Sequence, residues 1–139
     1  MPGPPTPNLG LTVPTVTGDI DAWGTEMNAN LALLDGLGAA GTISISANTN
    51  AVLGIFPETI VRVTTGSGVV TFTLLAPSAG NAGRIWTVKK VDAGAGNVNI
   101  VAAGGALIDG FSSYTRAIQN SYARFLSNGA GGYDVIGGN

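Results

Sequence analysis

Side chains able to do chemistry are scarce in this sequence. Its 139 residues include no His and no Cys, which removes the commonest general base, the thiol nucleophile and the usual zinc ligands. Eight acids remain: Asp19, Asp21, Glu26, Asp35, Glu58, Asp92, Asp109 and Asp134. Glycoside hydrolysis needs two carboxylates across a cleft. Asp92 and Asp109 could meet, but each stands by glycine, where Asp usually serves a turn. A calcium ion at Asp92 and Asn97 would find a single carboxylate. The glycine-rich runs lack the Lys-Ser/Thr of a phosphate loop. The expectation is a non-enzyme with no catalytic residue, no cofactor and no metal.

The six basic residues are Arg62, Arg84, Lys89, Lys90, Arg116 and Arg124, and the net charge is -2. They are spread along strand-like segments, an arrangement that argues against a nucleic-acid partner. The adjacent pair Lys89 and Lys90 reads as a solvated strand edge. Among the aromatic residues, Trp86, Tyr114, Tyr122 and Tyr133 have two readings. They are core or interface anchors, or they form a platform on which a glycan stacks.

Charged residues make up 10% and hydrophobic ones 45% of the chain, with mean hydropathy +0.34. So few charges would coat an isolated monomer poorly. The composition therefore points to surface covered by copies of the chain or by a larger assembly. The opening residues show no basic stretch followed by an apolar run, as a leader would. The long uncharged stretches are rich in Gly, Ser and Thr and alternate, so no membrane insertion is expected.

Three segments follow. Residues 1–18 hold five of the seven prolines and should be extended, since proline fixes φ and removes a donor. Leu9, Leu11 and Val13 recur at period two, with Val16 beyond. This arm either docks on a neighbour or is a plain tail. Residues 19–38 predict an amphipathic helix, capped by Asp19 or Asp21 and stopped by Gly36 and Gly38. Trp23, Met27, Leu31 and Leu34 share one face, which packs on its own domain or forms a seam between identical helices. Residues 39–139 alternate in short runs at 42–46, 59–65, 69–75, 84–91, 97–102, 114–119, 121–127 and 133–136, parted by glycine-rich turns. Gly66-Ser67-Gly68 between two such runs predicts a hairpin. The runs predict a compact antiparallel β-sandwich or barrel-like domain. No stretch repeats at a period of twenty to fifty residues, which speaks against a solenoid.

The segment Pro7-Asn8-Leu9-Gly10-Leu11, then Val13-Pro14-Thr15-Val16, then residues 23–35 (WGTEMNANLALLD) resembles the opening of tailed-bacteriophage fibre and virion appendage proteins. Similar to small fibre domains are Trp86-Thr87-Val88-Lys89-Lys90, Val98-Asn99-Ile100, Leu107-Ile108-Asp109-Gly110, Phe125-Leu126-Ser127-Asn128-Gly129 and Tyr133-Asp134-Val135-Ile136. The resemblance implies a homotrimer on the virion surface, with the N-terminal arm bound to phage capsid or tail proteins. The chain has no long shaft, which favours a short head fibre or capsid decoration protein. The alternative is a tail- or collar-attached fibre whose β tip binds host surface polysaccharide.

Overall fold

The computed structural model describes residues 40–54 and 57–139, and in this region the chain is mainly β. The first strands are β1 (Ala40–Ile45), β2 (Thr49–Asn50), β3 (Glu58–Val63), β4 (Val70–Leu74), β5 (Ile85–Lys90) and β6 (Val98–Ala102). After them come β7 (Leu107–Ile108), β8 (Tyr114–Arg116), β9 (Tyr122–Ser127) and β10 (Gly132–Gly138). They form a six-stranded sheet in the order β1-β3-β5-β9-β10-β7 and a four-stranded sheet in the order β2-β4-β6-β8.

Successive strands alternate between the two sheets. β1, β3 and β5 pair in parallel, as do β2, β4 and β6. The chain thus winds through three stacked coils, each giving one strand to each sheet. Antiparallel strands close the far end: β9 on β5, β8 on β6, and β10 on β9. The expectation of an antiparallel sandwich or barrel is corrected to this solenoid-like stacking. The predicted hairpin around residues 66–68 is corrected as well: β3 and β4 lie in different sheets, and the turn is a corner between them.

The absence of a sequence period does not exclude a solenoid here, because the coils differ in length. Ala40 pairs with Glu58, 18 residues on, whereas Glu58 pairs with Ile85, 27 residues on. Coils of unequal length stack as long as their strands stay in register.

The inward faces follow the alternation of each strand. Val61, Val63, Trp86, Val88, Ala123 and Phe125 of one sheet meet Val70, Phe72, Leu74, Val98 and Ile100 of the other, all buried. Tyr133 and Ile108 extend this core toward β7. Among the described residues the core belongs to residues 40–139, which form a compact unit by themselves.

The corners are held by side chains that replace missing backbone partners. Asn48 Oδ1 accepts the Thr71 N–H at 2.8 Å. Asp92 takes the N–H groups of Thr65 (3.0 Å) and Gly66 (2.8 Å). Gly96 N–H donates to Gly66 O at 2.9 Å, and Thr65 Oγ1 donates to Gly96 O at 3.2 Å. At Gly94 and Gly96 a Cβ would overlap the carbonyl oxygens of Gly66 and Gly68. Stacked corners this close require glycine.

Lys90 lies inside this corner, with no exposed surface. Its ammonium donates to Asp92 O (2.8 Å), Gly94 O (2.8 Å) and Asp92 Oδ1 (3.1 Å). Three donors meet three acceptors, which is how a buried cation is tolerated. The expected solvated Lys89 and Lys90 pair is therefore split: Lys90 points inward beside Val88 and Trp86, and Lys89 points outward.

Candidate interaction surfaces

The first coil ends the stack, and it is incompletely covered among the described residues. Its side of the four-stranded sheet is the two-residue β2, too short to roof β1. Ile43 faces the same way as Val61 in the register, yet 36% of its surface is exposed. An apolar groove of about 200 Å³ lies between Gly41–Ile43 on one wall and Ala51–Gly54 on the other, with Phe72 and Trp86 on its floor. Val52 stands 75% exposed at its rim. Among the described residues β1 and β2 are also the edge strands of their sheets. β1 reads AGTISI, without the charge or proline that usually guards an edge.

The second surface is the outer face of the six-stranded sheet. The register sets Ser44, Arg62, Lys89 and Tyr122 in one row across β1, β3, β5 and β9. Arg62 is exposed, and Lys89 and Tyr122 are half-buried. In the middle of the face Arg124 grips Glu58 with two hydrogen bonds, Nε to Oε1 at 3.3 Å and NH2 to Oε2 at 3.2 Å. Thr87, on the strand between, donates its hydroxyl to the same Glu58 oxygen.

The four aromatic candidates do not share one surface. Trp86 and Tyr133 are core residues, 3% and 1% exposed, stacked edge to face with ring centres 5.8 Å apart. The Tyr133 hydroxyl donates to Leu75 O at 2.9 Å, and burial pushes its pKa up to about 12. Tyr114 packs its edge on Phe125 at 5.5 Å, with the Arg116 guanidinium 4.7 Å over its ring. Tyr122 alone lies on the outer face. The docking residues Leu9, Leu11, Val13 and Val16, and the helix residues Trp23, Met27, Leu31 and Leu34, fall outside the described residues.

Asp92 and Asp109 take structural roles in turns, and they bind different segments. The backbone N–H of Thr65, with that of Gly66 and the Lys90 ammonium, holds the Asp92 carboxyl well below the usual carboxylate range. Asp109 has φ 48°, and its Oδ1 accepts the Val135 N–H at 3.2 Å. Among the described residues no three metal-ligating side chains gather, and no helix is long and apolar enough to cross a membrane.

Sequence reasoning overlooked the groove wall and the paired Arg62 and Lys89. The cation pair had a signal, since both alternate opposite to buried valines. Their facing each other depends on the parallel register of β3 and β5.

The chain matches no family model and no curated protein.

Proposed function

We propose that this chain is a non-enzymatic bacteriophage virion structural protein, a short homotrimeric decoration protein or head fibre attached to the capsid surface through its N-terminal arm. The phage assignment rests on the resemblance of its N-terminal and β-domain motifs to fibre and appendage proteins. The observation that carries a structural role is the first coil, left uncovered by the described residues. An apolar groove, exposed Ile43 and Val52 and an unguarded edge strand suit a protein whose neighbours complete it. The charged residues within the β-domain support the same reading, because those with partners are spent on corners and cross-strand contacts.

A second reading is a tail- or collar-attached fibre whose β tip binds host polysaccharide. Tyr122 beside Lys89 on an open sheet face favours it, since an aromatic ring next to a cation suits a sugar acid.

The test is location and attachment. Labelled antibody on intact particles should decorate the capsid, with hundreds of copies. Labelling confined to the tail, at about a dozen copies, would favour the second reading. A chain lacking residues 1–17 should stay folded and trimeric yet fail to co-sediment with particles stripped of their own copy. Normal attachment without those residues would overturn the role assigned to the arm.

A further inference from the structure

We propose that the outer face of the six-stranded sheet is the seam between copies of this chain, where Arg62 and Lys89 of one copy meet Asp134 of the next. The inference rests on the homotrimeric reading above and specifies its contact.

Two ion pairs already match charges among the described residues. Arg124 is paired with Glu58, and Lys90 with Asp92. Arg116 and Asp109 hold neutral partners instead, the Tyr114 hydroxyl at 2.8 Å and the Val135 N–H. Arg62, Lys89 and Asp134 have no ion-pair partner among the described residues. All three point out from the same sheet face.

Arg62 and Lys89 are register partners on neighbouring parallel strands. Like charges directly opposite each other destabilise a sheet, so this arrangement calls for an anion from outside. Asp134 cannot supply it within the chain. Tyr122 faces Lys89, Leu126 lies four residues further along β9, and Asp134 faces Leu126. Strand spacing and rise put the two poles roughly 16 Å apart, about twice the screening length at physiological salt. Among the described residues neither pole has an ion-pair partner.

Between the poles lie Arg124 and Glu58, already paired with each other, and Thr87, which donates to the same carboxylate. Ile60, Ile85 and Leu126 are half-buried there. A centre of half-buried aliphatic residues around an internally paired ion pair, with unpaired charges at the margins, suits a contact with a polar rim. The positive pole lies toward the β1–β3 edge and the negative pole on β10, near the opposite edge. Two different patches that fit each other make a head-to-tail contact, which closes into a ring when the rotation allows. In a ring of three copies each Asp134 meets the Arg62 and Lys89 of a neighbour.

The test uses the full-length chain, with sedimentation and native mass measured across a dilution series. The double variant R62E/K89E and the single variant D134K should each weaken association at least tenfold, because like charges then face each other. Combining all three substitutions should restore the wild-type affinity. All three side chains point outward, so melting curves should stay close to wild type. Raising salt from 0.05 to 0.5 M should weaken the unaltered protein and barely affect a variant already dissociated. A wild-type trimer whose affinity is unchanged by R62E/K89E would overturn the seam and leave the trimeric reading standing. A wild-type monomer would overturn both.

Discussion

The Lys90 ammonium lies 3.1 Å from Asp92 Oδ1, two residues along the same chain, and the pair holds together two corners of the stack. Lys90 comes from the interior and Asp92 from the turn. Between them they bind backbone atoms of Thr65, Gly66 and Gly94.

Removing the cation alone should be costly. Lys90→Met takes away three donors and leaves Asp92 O, Gly94 O and one carboxylate oxygen short of a partner. Breaking a buried pair from one side typically costs about 3–5 kcal/mol. Chemical denaturation of a chain carrying this substitution should show a loss of that order. An unchanged midpoint would mean that the corner is held by backbone contacts alone.

Acid should loosen the same corner. The folded-state pKa of Asp92 is depressed, so its contribution is fully present above the ordinary value of about 3.8 and is lost as pH falls below that value. Melting temperature measured against pH should decline below about pH 4 more steeply in the wild type than in Asp92→Asn. Parallel curves would assign the acid sensitivity to other groups.

Gly96→Ala should separate the stacked corners. The added methyl group would overlap the Gly68 backbone, which has no flexible end to move aside. The expected destabilisation is about 3 kcal/mol, at the upper end for overpacking. Gly54→Ala is the control, since a Cβ there meets nothing within 4 Å, and its denaturation midpoint should move little.

Alkali acts through Tyr133. Its folded-state pKa is raised from 10.0 to about 12, so the stability it contributes is complete below pH 10 and is lost as pH rises toward 12. Tyr133→Phe should flatten that alkaline decline. At neutral pH it should cost about 1–2 kcal/mol, because Leu75 O loses its donor. Stability curves for the two proteins that coincide from pH 9 to 12 would refute the assignment.

Much of the strand content was legible in the sequence. Period-two alternation located β3, β4, β5, β6 and β9 to within a residue or two, because alternation records which side of a strand is buried. The same alternation sets Lys90 on the side of Trp86 and Val88, but the general preference of lysine for solvent led to the opposite expectation, a solvated Lys89 and Lys90 pair, which the structure corrects. The assignment of Asp92 and Asp109 to turns followed from glycines close by, Gly94 and Gly110. The two-residue strands β2 and β7 were too short to leave a period.

Strand pairing was decided only by the tertiary structure. Alternation says which face of β3 is apolar, but not whether β4 folds back beside it or crosses to the opposite sheet. The choice rests on contacts distant in sequence, such as the bonds of Asp92 to Thr65 and Gly66, 27 and 26 residues away. Coil lengths that change from one turn to the next erase the repeat that would have announced the stacking. The same holds for the outer face. Arg62 and Lys89 are unremarkable in sequence, and they become one charged site because parallel β3 and β5 set them in a single row.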